Sequence, residues 1–142
     1  MSIATKALRT SSVITALLCA GHTSGMPWTP IKTMPGDAVV LAMKSYRTEV
    51  LGFTRGYWDF YQGFGISISV CMAVFAIVMW QLGSLAKTAP DAARPMIAAL
   101  LAGFIGLIVV DVVDFFWPPL IFTLVVVVGL AIAWLTAKPI AP

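Results

Sequence analysis

Charge is what this sequence has least of: only 11% of its 142 residues are Asp, Glu, Lys or Arg, against 60% hydrophobic residues and a mean hydropathy of +0.95. Ordinary soluble domains are about a quarter charged, so the composition excludes a soluble globular domain, a disordered tail and a nucleic-acid module. Histidine is nearly absent, and the single His22 excludes a bis-His haem or a multi-His metal site within one chain. The two cysteines, Cys19 and Cys71, each lie in apolar stretches, where a free thiol behaves as a small hydrophobe and a disulfide is disfavoured. No HExxH, CxxC, GxSxG or phosphate-loop motif occurs, and the methionines are too dispersed to hold copper. Internal repeats and low-complexity tracts are missing as well.

What is present is a set of long apolar runs. A spanning helix needs about 20 mostly apolar residues. Residues 63–86 contain no charge at all; residues 96–113 form a second run, and 117–137 a third, entered through Pro118 and Pro119, where a first helical turn tolerates proline. Lys6 and Arg9 followed by the short apolar run from Val13 to Ala20 resemble a signal peptide as much as a first span over residues 7–25. The mediocre cleavage site at Cys19, Ala20 and Gly21, with Leu18 where a small residue is wanted, favours a retained helix. The expected fold is all-α: one membrane domain over residues 1–142, a four-helix transmembrane bundle. The first connection carries an amphipathic helix over 37–51, whose stripe of Val39, Met43, Tyr46 and Val50 would lie on the outer membrane surface.

Four spans put both termini on one side. Lys6, Arg9, Lys87, Arg94 and Lys138 fall there against Asp91, so the positive-inside rule makes that side cytoplasmic, and five of the six acids fall on the other. Trp28, Tyr57, Trp58, Tyr61 and Trp117 mark an outer aromatic belt, with Trp80 and Trp134 marking the inner one. Small residues recur four apart as Ala98, Ala102 and Gly106, as Gly63, Ser67 and Cys71, and as Gly129, Ala133 and Ala137. These are faces for close helix packing, within the chain or against a partner.

An ionisable group at membrane depth costs about 3 kcal/mol on insertion scales, so each needs a partner or a task. His22 stands near the outer end of the first span, and Arg47 and Glu49 flank the stripe of the expected surface helix. Arg55, Asp59 and Gln62 share a face at i, i+4 and i+7 if the second span starts early, and Asp111 and Asp114 share one on the third. In the structural reading, Arg55 pairs with Asp59 or Asp111, Arg47 with Glu49 or Asp114, and His22 bonds a carbonyl or carboxylate. In the chemical reading, His22, Asp59 and Glu49 are acid/base candidates, and the carboxylates clustered around His22 hold a cation, move a proton or bind a lipid headgroup; Arg47, Arg55, Gln62, Asp111 and Asp114 are the ligand-binding candidates, with Arg47 or Arg55 as an anion clamp. A pigment or haem on His22 is the least favoured variant. A bound lipid is expected, nucleic acid is not, and no metal site is assigned. A transport pathway would require an oligomer.

The pattern His22-Thr23-Ser24-Gly25, Trp28, Arg55 and Phe60-Tyr61-Gln62-Gly63-Phe64-Gly65 resembles a family of small uncharacterised bacterial four-helix integral membrane proteins. That family carries an H-T-x-G motif followed by an F-F-x-G-Y-G element, represented here by Tyr61 and Phe64; Asp111 and Asp114 lie outside the pattern. The resemblance implies a four-helix fold and a bacterial inner membrane, and no chemistry. Two functions are therefore carried forward. One is a non-catalytic accessory subunit of a larger membrane complex or a homo-oligomer, with Ala98, Ala102, Gly106, Gly129 and Ala133 as packing faces. The other is a small membrane enzyme or binding protein for a lipid or other hydrophobic ligand, built around His22.

Overall fold

The computed structural model describes residues 1–25 and 34–137. Trp28 and Lys138, used above for the aromatic belt and the charge count, lie outside the described residues. Among the described residues the order is α1 (Ile3–Gly25), α2 (Met34–Ser45), β1 (Arg47–Val50), β2 (Phe53–Gly56), α3 (Tyr57–Thr88), α4 (Pro90–Asp114) and α5 (Trp117–Thr136). The fold is all-α apart from one hairpin. Helices α1, α3, α4 and α5 are each long and apolar enough to cross a bilayer, which makes the chain an integral membrane protein.

Helices α1, α3 and α4 start earlier than the apolar runs, and α5 starts with its run at Trp117. Helix α3 has 32 residues, about 48 Å at 1.5 Å per residue, so it exceeds a hydrocarbon core of about 30 Å. Its aromatic first turns, Tyr57 to Tyr61, lengthen it ahead of residue 63. Helix α4 begins at Pro90, at the first helical positions where a missing N–H costs nothing, and runs through Pro95.

The expected surface helix over 37–51 is corrected. The helix ends at Ser45, and Arg47 and Glu49 lie on a β-strand. β1 and β2 pair antiparallel, Arg47 with Gly56 through Val50 with Phe53, around a two-residue turn. Leu51 (φ 51°) and Gly52 (φ 83°) both have positive φ, as in the type I′ turn that matches strand twist. The β-branched Thr48, Val50 and Thr54 and the aromatic Phe53 favour the pleated form over the helical stripe.

The chain divides into two compact units: Met1–Leu18 with Met72–Pro142, and Cys19–Cys71. In the first, Leu8, Met79, Leu82, Ile97, Phe104, Val126 and Leu130 form the apolar core, with Phe75 edge-on to Phe104 at 5.8 Å. Helix α1 presents Ala4, Thr5, Leu8, Ser11, Ser12 and Thr15 to this core, a helical-period face that is mostly hydroxyl. Ser12 Oγ donates to the Ala76 carbonyl at 2.7 Å, and Gly129 of α5 admits the Ser11 hydroxyl where a Cβ would collide with it.

In the second unit, α2 ends against the hairpin. A Cβ at the buried Gly56 would lie 3.1 Å from the Tyr46 carbonyl oxygen and 3.2 Å from that of Met43, so only glycine lets the end of α2 approach so closely. Tyr46 stacks on Tyr57 at 5.4 Å, which fastens α2 to the start of α3.

Candidate functional site

The sequence-derived polar residues fall into both units, and in the second they form two groups. The first is a seam between α1 and α3. His22 Nε2 lies 3.0 Å from the Gly65 carbonyl oxygen. That oxygen can only accept, so Nε2 carries the proton, and in the neutral imidazole Nδ1 is the bare nitrogen. Thr23 Oγ1 donates to Ser69 Oγ at 2.8 Å, Ser69 Oγ to the Gly65 carbonyl at 3.3 Å, and Cys19 Sγ to the Ser69 carbonyl at 3.3 Å. Three side chains of α1, Cys19, His22 and Thr23, thus close on the Gly65 and Ser69 carbonyls and the Ser69 hydroxyl of α3, the type of interhelical hydrogen bonding that holds spans together in lipid. The small-residue row that meets α1 is Gly65 and Ser69. Gly63, Ser67 and Cys71 are exposed, two residues out of register with the expected face.

The second group is built on Asp59. Gly56 precedes α3, and its N–H donates to Asp59 Oδ2 at 2.8 Å, the return half of a capping box in which a third-position carboxylate satisfies an otherwise orphaned N–H. The same Oδ2 pairs with Arg47 Nη2 at 3.5 Å, and Arg47 also donates to the Thr54 carbonyl at 3.3 Å. The expected face of Arg55, Asp59 and Gln62 is corrected: Arg55 lies on β2 ahead of the helix, donates to the Thr54 carbonyl at 2.9 Å and sits 5.5 Å over the Phe53 ring. The Arg47–Asp59 pair is the one ion pair among the described residues. Glu49 is exposed on β1 and takes no part in it, and Gln62 is half-buried on α3.

Asp111 and Asp114 belong to the first unit. Asp111 Oδ2 is sealed from solvent without a hydrogen-bond partner among the described residues, and the Asp111 backbone carbonyl accepts the Phe115 N–H that ends α4; Asp114 is exposed. Of the packing residues, Gly129 and Ala133 are used inside this unit against its core. Ala98 is half-buried, while Ala102 and Gly106 are exposed, and a Cβ at Gly106 would meet nothing within 4 Å. No group of three His, Cys, Asp or Glu side chains gathers among the described residues.

Sequence reasoning missed the environment of Arg9, which it counted only as a cytoplasmic charge. Its guanidinium lies 4.8 Å from the Trp80 ring centroid, and Arg94 stands likewise over Trp134 at 4.8 Å. It also missed the hydroxyl face of α1, although Thr5, Leu8, Ser12 and Thr15 recur at i, i+3, i+7 and i+10, the signal that would have found it. Compared with known protein families, with curated proteins and with solved structures, the chain matches none.

Proposed function

We propose that this protein is a non-catalytic accessory subunit of a larger assembly in a bacterial inner membrane, with both termini cytoplasmic. The observation that carries the reading is the outward row on α4. Ala102 and Gly106 lie one turn apart on an exposed helix face, and small residues there let a neighbouring span approach to backbone distance. The competing acid/base reading is weakened because two of its three candidates are engaged, His22 on the Gly65 carbonyl and Asp59 on the Gly56 N–H and Arg47, while Glu49 stands exposed on the hairpin. The charge of the segments around Lys6, Arg9, Lys87 and Arg94 supports the orientation. The HTxG and FYxGFG pattern supports kinship with the small bacterial four-helix proteins it resembles.

Native mass spectrometry of the protein extracted from its own membrane in mild detergent, with an absorption spectrum on the same sample, tests this. Defined larger subunits should co-purify, and Gly106→Leu should release them while leaving the chain folded. An isolated chain that retains a pigment or hydrophobic ligand, and loses it in His22→Ala, would sink the accessory reading. It would return the weight to His22, whose Nε2 contact with the Gly65 carbonyl leaves Nδ1 as the acceptor of the neutral imidazole.

A further inference from the structure

Among the described residues, Arg9 is a cation without an anion. It lines a groove of about 420 Å³ together with Lys6, Thr10, Val13, Ile14 and Trp80. Its Nε is sealed from solvent and has no hydrogen-bond partner, and the contacts of its two Nη atoms are long: Nη2 to Ser84 Oγ at 3.5 Å and Nη1 to Met1 Sδ at 3.8 Å. No carboxylate pairs with it or with Lys6 among the described residues. A guanidinium held at a membrane helix with neither a counter-ion nor good acceptors is costly unless something supplies them.

The position is nevertheless built. The Arg9 stem crosses α3 at Gly83, where a Cβ would come within 3.2 Å of Arg9 Cγ and 3.5 Å of the Thr5 carbonyl oxygen. Trp80 and Ser84, one turn apart, stand on the same stretch of α3, with the indole 4.8 Å from the guanidinium carbon. Gly83 thus admits the stem and Trp80 bears the planar head, leaving the Nη fork with only weak acceptors. Lys6 is one turn earlier on α1, exposed, with the exposed Thr10 hydroxyl following Arg9. Beyond the cations the groove wall turns apolar, through Val13 and Ile14.

The geometry points to a binding site for an anionic phospholipid, its phosphate held by the Arg9 fork and Lys6 and its acyl chain laid along Val13, Ile14 and Trp80. Guanidinium binds phosphate bidentately, and a phosphate oxygen is a far better acceptor than a thioether or a hydroxyl at 3.5 Å. Two uncompensated cations select a lipid of net negative charge over a zwitterionic one, whose quaternary ammonium Lys6 repels. The apolar wall selects a lipid over free phosphate.

The test is native mass spectrometry of the delipidated full chain, titrated with phosphatidylglycerol, with phosphatidylcholine of the same chains, and with phosphatidylglycerol in the presence of excess inorganic phosphate. One phosphatidylglycerol should be retained at least about tenfold more strongly than phosphatidylcholine, and Arg9→Gln should abolish that preference. Lys6→Gln and Gly83→Ala, the latter displacing the Arg9 stem without removing charge, should each reduce it, which covers the case in which Arg9→Gln fails to fold. Arg94→Gln removes an arginine that also stacks on a tryptophan but does not line this groove, and should leave the preference intact. Equal retention of the two lipids, equal loss in Arg94→Gln, or displacement by inorganic phosphate would overturn the assignment, the last by giving the site to free phosphate.

Discussion

At the scale of single residues, the second unit turns on two positions whose backbone geometry and hydrogen bonding are unusual for their chemistry. Leu51 occupies the left-handed region at the tip of the hairpin, where a branched side chain carries a strain of about 1 kcal/mol and where asparagine or glycine is the ordinary choice. Leu51→Asn should therefore slow hydrogen exchange at the hairpin amides, by an amount equivalent to roughly 0.5–1 kcal/mol; unchanged or faster exchange would show that the leucine side chain makes a stabilising contact of its own. Asp59 acts on a different bond. Its carboxylate satisfies the Gly56 N–H and meets Arg47 only at 3.5 Å, in a pair whose side chains are 51% and 37% exposed. The cap is worth about 1 kcal/mol and an exposed pair less than that. Asp59→Ala should accordingly fray the first turn of α3 more than Arg47→Ala does, read as exchange at the amides of Gly56 to Tyr61. The reverse order would make the ion pair, not the cap, the anchor of the hairpin.

At the scale of elements, the spans were legible because bilayer thickness demands uninterrupted apolar length, a property that composition displays directly. The run from Gly63 to Ala86 needed no knowledge of its neighbours. The hairpin was not legible, because Val39, Met43, Tyr46 and Val50 repeat with a helical period, and Leu51-Gly52 is an unusual pair of residues for a tight turn. What decides the matter is tertiary: Gly56 lets the end of α2 come within contact distance, and the stack of Tyr46 on Tyr57 stops the helix there. The candidate site was legible in part for the same reason. The contact of His22 with a carbonyl was among the readings open from the sequence, but its partner depended on whether Gly63 or Gly65 faced α1, a register that spacing alone leaves open. Helix packing also explains an apparent defect. Ser11 is buried with an unpartnered hydroxyl against Gly129. Ser11→Ala should be neutral or mildly stabilising, since it removes a buried polar group that bonds nothing. Gly129→Ala should cost about 1–3 kcal/mol by overpacking, and the double variant should recover most of that loss. Additive losses in thermal unfolding in detergent would mean that the Gly129 backbone, and not the Ser11 side chain, limits the packing of α1 on α5.

At the scale of the whole molecule, the question is which end of the spans faces which compartment. The turn between α3 and α4 is flanked by Lys87 and Arg94, with the lone Asp91 in the first turn of α4, whereas the turn between α4 and α5 is preceded by Asp111 and Asp114 and has no nearby cation. Helix α4 alone is 25 residues, about 38 Å, so these two turns must emerge on opposite sides of a bilayer about 30 Å thick. Because lysine and arginine near span ends resist translocation and acids count little, the proposed orientation places the first turn in the cytoplasm. In a variant with Cys19 and Cys71 replaced by serine, Thr88→Cys and Phe116→Cys report the two ends separately. A membrane-impermeant thiol reagent applied to intact cells should label residue 116 at once and residue 88 only after permeabilisation. The opposite pattern would place the carboxylates of Asp111 and Asp114 at the cytoplasmic face. It would also move the Arg9 groove to the outer leaflet, where an anionic headgroup would have to be supplied from that side. Orientation is therefore a constraint on the lipid assignment as well as on the fold, because the same few arginines and lysines that set topology also make the groove basic.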